Sequence, residues 1–218
     1  MSNPNMDADT AQKLRQARTF RGRPPEERIG YEGTLGDLLN ERAAETPDKE
    51  YLAFVGEDGE ITRYTYADFR TRVHRTANYM AEALDLQPGD RIANVAHSHV
   101  DTVVLYWAAW SLGLTVVPVN VGEDDERVQF IIHNAECKVV FVRPRYVARI
   151  AALRGELPAV QNIVQVGGDE PQDGTDHYFD YESESYGDVF MMLDGFDQSQ
   201  EAMIVYTAGT TGAPKAAV

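Results

Sequence analysis

The chain has 218 residues, 43% of them hydrophobic and 25% charged, the proportions of a globular protein and not of a chain disordered throughout. Its length fits one large domain or a domain with an extension. Twenty Lys+Arg against 35 Asp+Glu give a formal charge of −15, which argues against binding nucleic acid or an anionic membrane surface by charge.

Residues 1–33 read as a polar extension with an arginine patch (Arg15, Arg18, Arg21, Arg23) and Pro24-Pro25. From Thr34 the pattern becomes regular. Thr34 caps a helix carrying Leu35, Leu38, Leu39 and Ala43, and Pro47 follows its end. Tyr51–Val55 and Ile61–Thr65 flank Glu57-Asp58-Gly59 and read as a β-hairpin. Thr65 and Asp68 form a capping box, and the helix behind them places Phe69, Val73, Ala77, Met80 and Leu84 on one stripe. Pro88-Gly89-Asp90 turns the chain into a strand at Arg91–Ala96. Ser98 with Asp101 reads as a second capping box, before a helix bearing Val100, Val103, Val104, Trp107 and Ala108.

The uncharged stretch Thr102–Gly122 approaches the length of a membrane span. It is punctuated by Ser111, Gly113, Thr115, Pro118 and Asn120, so it divides into a buried helix ending at Gly113 and a buried strand at Leu114–Val119, and no stable membrane insertion is expected. Asp124 opens a helix with Val128, Ile131, Ile132 and Ala135. Lys138–Val142 is a strand, Pro144–Arg154 a short helix and Val160–Val166 a strand. Gly167–Asp188 reads as an acidic surface excursion, with Tyr178, Tyr181 and Tyr186 in a solvated loop. Glu182–Leu193 is a candidate helix with Val189, Met192 and Leu193 inward, and Ala202–Thr207 a final strand. This alternation predicts an α/β fold, a largely parallel sheet flanked by helices with a small β-hairpin near the start.

Only four basic residues are lysines (Lys13, Lys49, Lys138, Lys215) and sixteen are arginines. A carboxylate surplus with few lysines suits a salty, halophilic cytoplasm, where charge keeps the protein soluble and salt screens the self-repulsion. The single Cys137 allows no intrachain disulfide and fits a reducing, cytoplasmic setting; beside Val139–Val142 it reads as a packed small residue. Met1–Arg23 has no apolar core and is not a secretory signal. His97-x-His99 has no third ligand in reach, and Glu123–Glu126 is explained as a negative first helical turn, so no metal site is expected.

Chemistry concentrates at Ile204-Val205-Tyr206-Thr207-Ala208-Gly209-Thr210-Thr211-Gly212-Ala213-Pro214-Lys215. Gly209 and Gly212 permit torsions and close approach that a Cβ would block, so consecutive N–H groups can converge on phosphate oxygens. Thr207, Thr210 and Thr211 add hydroxyl donors, and Lys215 adds a mobile charge. Pro214 fixes the chain before it. The Walker spacing is absent, because two residues separate the glycines and Ala216 follows the lysine. There is no GxGxxG fingerprint. The bland reading of these residues is a Gly/Thr turn with an exposed lysine.

Tyr206 to Lys215 resembles the phosphate-loop motif Tyr-Thr-Ser-Gly-Thr-Thr-Gly-x-Pro-Lys-Gly of the adenylate-forming enzymes, which include acyl-CoA synthetases, luciferases and peptide-synthetase adenylation domains. Ala208 departs from the usual serine and Ala216 from the usual glycine. Thr34-Leu35 to Pro47, Thr65-Tyr66-Ala67-Asp68-Phe69, Gly89-Asp90-Arg91-Ile92-Ala93, Trp107-Ala108-Ala109, Gly113 and Pro118-Val119-Asn120 resemble further landmarks in the family's order. The resemblance covers residues 34–218 and is nearest to acyl-CoA synthetases for fatty or carnitine-like acids.

The resemblance implies an acyl-adenylate made from a carboxylic acid and Mg-ATP, with transfer of the acyl group to CoA. ATP, Mg2+ and CoA are then the substrates and cofactors of the full-length enzyme. It implies that Thr207, Ala208, Gly209, Thr210, Thr211, Gly212 and Lys215 contact or shape the polyphosphate, with Lys215 stabilising its charge. It also implies that residues 34–218 are an incomplete N-terminal, AMP-binding domain and that the C-terminal domain is absent. The adenine-binding segment, the magnesium-binding glutamate and the ribose-binding aspartate are not in the chain. A truncated gene, an excerpt of a longer enzyme, or half of a split enzyme with a complementing C-terminal fragment each account for this. The expectation is that the chain is inactive alone; the alternative is a non-catalytic fragment or interaction module that retains the fold.

Overall fold

The computed structural model describes residues 33–56, 59–180, 185–190, 199–207 and 214–218. The polar extension up to Glu32 lies outside the described residues. So do Glu57 and Asp58 of the hairpin turn, Tyr181, Met192, Leu193 and the loop residues Ala208–Ala213.

Two threonines start helices by the same local exchange. Thr34 opens α1 (Leu35–Glu45) and Thr65 opens α2 (Tyr66–Glu82). In each, the threonine hydroxyl accepts from the backbone N–H three residues on, and the aspartate there accepts from the threonine's own N–H. Between them, β1 (Glu50–Val55) and β2 (Ile61–Thr65) pair antiparallel, with a register irregularity between Glu50 and Leu52. The α2 stripe Phe69, Val73, Ala77 and Met80 is wholly buried, and Leu84 nearly so.

The main sheet contains β3 (Arg91–Val95), β4 (Thr115–Val119), β5 (Val139–Val142), β6 (Asn162–Val166) and β7 (His177–Phe179), in the order β4-β3-β5-β6-β7 and parallel throughout. Alternate strand residues serve two cores. Ile92, Val116, Val139, Phe141 and Val164 pack with α1, α2 and α3 (Val100–Ser111). Ala93, Val95, Val117, Val140 and Ile163 pack with α4 (Asp125–Asn134) and α5 (Val147–Leu153) on the other face. Burial on both faces is why these strands read as continuous apolar runs.

Several expectations need correction. Ser98 does not cap α3; the cap is His99, whose Nδ1 accepts from the Asp101 N–H at 3.2 Å. The Asp101 carboxylate is drawn instead to Arg143, a long-range ion pair that outcompetes the local box. The segment Pro144–Arg154 is an α-helix only over Val147–Leu153, with 3-10 turns at Pro144–Tyr146 and Arg154–Glu156. The acidic excursion contains β7, which holds Tyr178 in the sheet, where its hydroxyl donates to the Gly168 carbonyl at 2.6 Å. Residues 185–190 are not helical; Val189 is 75% exposed and its neighbour Phe190 is the buried side chain. Tyr186 packs on Tyr79 instead of lying in solvent. The strand expected over Ala202–Thr207 is regular only at Val205–Thr207 (β8), with a single parallel bridge from Met203 to Val116 before it. A short β9 (Lys215–Ala217), not anticipated from the sequence, pairs antiparallel with β8.

Candidate functional site

The chain leading to β8 is fastened to the free edge of β4 by side chains as well as backbone. The Ala202 carbonyl accepts from the Trp110 indole N–H at 2.8 Å and from the Val116 N–H at 3.1 Å. The Thr115 hydroxyl donates to the Glu201 carbonyl at 2.9 Å, and Arg91 pairs with the Glu201 carboxylate at 3.2 Å. The Ile204 N–H donates to the Val116 carbonyl at 2.9 Å, and its side chain is buried. Each polar group of this strand that faces β4 thereby has a partner, as a buried backbone requires.

Of the residues singled out in the sequence, Thr207 and Lys215 are described, and they face each other across a two-stranded neck. The Thr207 hydroxyl donates to the Lys215 carbonyl at 3.3 Å. Both side chains are exposed, and no carboxylate among the described residues pairs with the Lys215 ammonium. Ala208, Gly209, Thr210, Thr211 and Gly212 lie between them in the chain, outside the described residues. Tyr206 opens the motif without a role assigned to it from the sequence, yet it ties this neck to the body. Its hydroxyl donates to Asn134 Oδ1 at 2.7 Å, and its ring stands edge-on to Phe130 at 6.3 Å. Burial raises its phenol above the ordinary tyrosine range, so it remains a protonated donor at neutral pH. Asn134, Trp110 and Thr115 carried no local sequence signal, because their role arises from pairing across tens of residues.

Beside this neck, a cleft of about 320 Å³ opens at the carboxyl ends of β3 and β4. His97, Thr102 and Tyr106 form one wall, and Asn120, Glu123 and Tyr206 another. His97 Nδ1 and Thr102 Oγ1 are buried there without a hydrogen-bond partner among the described residues. The sheet's topological switch point lies elsewhere, between β3 and β5, where open α/β sheets often bind ligands. Here that crevice is closed to about 10 Å³, because Arg143 reaches across it to Asp101. Gly167 makes room for the guanidinium: at φ +68°, a Cβ would lie 2.6 Å from Arg143 Nη1.

The metal candidates resolve structurally. Among the described residues, no three His, Cys, Asp or Glu side chains gather as a metal site. Asp124 caps α4, Glu123 pairs with Arg127, and Asp125 pairs with Arg149. Cys137 is buried, and burial pushes its thiol up to about 12, so it is a core residue and not a nucleophile. No described helix is long and apolar enough to cross a membrane.

The chain is similar to the long-chain-fatty-acid–CoA ligase of Thermus thermophilus, with 30% identity over 89% of this chain and 34% of that protein. It is 27% identical to the medium-chain-fatty-acid–CoA ligase of Ectopseudomonas oleovorans, over 83% of this chain and 33% of the relative. The chain thus spans about a third of the length of the curated relatives it matches. The fold superposes on a crystal structure of an anthranilate CoA ligase bound to anthranoyl-AMP, with TM-score 0.73, 20% identity, and coverage of 85% of this chain and 34% of that one. At that identity the likeness is one of fold. The family model of AMP-binding enzymes matches residues 39–218. With the strand–loop–lysine neck set at the edge of a parallel sheet, the match establishes that the chain belongs to the AMP-binding enzyme family.

Proposed function

We propose that residues 34–218 are the N-terminal part of the AMP-binding domain of an acid–CoA ligase. That enzyme activates a carboxylic acid with Mg-ATP to an acyl-adenylate, releases pyrophosphate and passes the acyl group to CoA. The part in hand holds the polyphosphate of ATP. One observation carries this reading: β8 and β9 form a neck that holds Lys215 opposite Thr207, at the two ends of a segment containing Gly209, Thr210, Thr211 and Gly212. An ammonium that pairs with no carboxylate among the described residues, next in the chain to a Gly/Thr segment rich in potential donors, suits a polyphosphate and offers little to a neutral ligand. The ligase names of the similar proteins support the substrate class.

In this role Lys215 and the loop donors stabilise negative charge as pyrophosphate departs. Thr207 closes the neck through the Lys215 carbonyl, and Ala208 leaves one hydroxyl fewer for phosphate than a serine would. In this reading the 218-residue chain binds Mg-ATP through these residues without turning it over. Calorimetric titration with Mg-ATP tests this. Binding should be measurable, and Lys215→Ala should weaken it by about tenfold or more, the loss of one charge-assisted contact. Equal affinity of the wild-type and Lys215→Ala chains would overturn the phosphate role and favour a non-catalytic interaction module. Robust acid-dependent ATP–pyrophosphate exchange by the chain alone would overturn its restriction to phosphate binding.

A further inference from the structure

We infer that Tyr206, through its hydrogen bond to Asn134, is a positioning residue that sets where Lys215 stands relative to the body of the protein. The inference rests on the phosphate role proposed above.

The two shoulders of the loop are held very differently. The β8 shoulder is fastened twice. On one side, Ile204 is buried and bonded to Val116 of β4. On the other, Tyr206 is bonded to Asn134 at 2.7 Å and packed on Phe130, both in α4. The β9 shoulder has exposed side chains along its whole length and takes its strand pairing from β8. Lys215 pairs with Thr207 and Ala216 with Tyr206, so the lysine's place is fixed through β8.

Side chains alternate along β8. Val205 and Thr207 point to solvent, and Tyr206 between them turns inward. Tyr206 is thus the last β8 side chain before the loop that grips the body. Asn134 is the last residue of α4, whose first turn follows Glu123, a residue lining the 320 Å³ cleft. One hydrogen bond therefore links the loop shoulder to the helix bordering that cleft. If it is removed, β8 keeps its attachment to β4 but can swing away from α4, and the lysine swings with it. The protein stays folded, and its affinity for a polyphosphate falls.

The test is calorimetric titration of the 218-residue chain with inorganic tripolyphosphate in excess Mg2+, using five proteins: wild type, Tyr206→Phe, Asn134→Leu, the Tyr206→Phe/Asn134→Leu double variant, and Asn134→Asp. Tyr206→Phe keeps the ring against Phe130 and removes only the hydroxyl. Tyr206→Phe and Asn134→Leu should each weaken binding about fivefold, the size of one net hydrogen bond. The double variant should be no weaker than either single variant, because both remove the same bond. Asn134→Asp keeps an acceptor and should bind within about twofold of wild type. A purely structural role would not give this rescue, and thermal melts should place all five within a few degrees of one another. Unchanged affinity in Tyr206→Phe, or additive losses in the double variant, overturns the inference. If Lys215→Ala is weakened in the same titration, the phosphate reading survives that failure; if wild type does not bind tripolyphosphate, both fall.

Discussion

Removing the Asp101 carboxylate should be among the costliest single changes in this fold. The carboxylate pairs with Arg143 across the ends of β3 and β5, and its side chain is 11% exposed against 17% for the arginine. Arg143 Nε has no hydrogen-bond partner among the described residues, so Asp101 is the guanidinium's main compensation there for leaving water. Breaking such a pair from one side costs about 3–5 kcal/mol, because the remaining charge stays buried; residual exposure places this case near 3 kcal/mol. Loss of negative charge in the first turn of α3 adds about 0.3–1 kcal/mol. Against a typical total of about 5–15 kcal/mol, Asp101→Ala should remove a large share of the stability. With a urea m-value near 2 kcal/mol/M, the midpoint should fall by about 1.7–2 M. Urea unfolding followed by far-UV circular dichroism reads this directly. The Asp101→Leu/Arg143→Met double variant removes both charges and should recover most of the loss, costing about 1 kcal/mol. The reasoning is refuted if Asp101→Ala costs under about 0.5 kcal/mol, or if the double variant is as unstable as the single one.

Two further predictions follow from titratable groups. Burial lowers the pKa of His74, whose Nδ1 lies 3.0 Å from the Asp188 carbonyl; Arg70 lowers it further and the Asp188 carboxylate partly opposes this. As pH falls from about 6.5 toward the lowered folded value, the folded state therefore holds fewer protons here than the unfolded chain, and stability is lost until pH has passed below the folded value. Amide exchange at residues 187–190, where Asn78 and Arg75 also grip the chain, should accelerate at pH 5.5 more than in a His74→Gln variant; identical profiles would contradict this. Cys137, with its thiol raised to about 12 by burial, should resist iodoacetamide at pH 8 in the folded protein and react on unfolding. Mass spectrometry would show modification of the native chain if this is wrong.

What could be read from the sequence was local. The cap at Thr34 and the capping box at Thr65 form as expected, and Thr34 closes a full box with Asp37 as well, since threonine and aspartate three residues apart suffice. The same pattern at Ser98 misleads, because Asp101 has a distant partner in Arg143 that no nearby residue announces. Strands β3 to β6 are legible as apolar runs, whereas β7 is three residues long, lies among carboxylates and exists by pairing with β6. Val189 looked inward by helical spacing, but the chain is not helical there and Phe190 fills the pocket instead. At the site, Thr207 and Lys215 are visible as motif positions. Trp110, Thr115 and Asn134 are not, since each acts on a backbone or side-chain group more than seventy residues away.

The proposed function places a polyphosphate at the β8–β9 neck. The most direct measurement is the amide spectrum of isotopically labelled protein titrated with Mg-ATP. The largest shifts should fall at Thr207 and Lys215 and between them in the chain, with those of Tyr206 and Ala216 next, and Lys215→Ala should suppress them. Shifts concentrated away from the neck, or none at saturating nucleotide, would contradict the account.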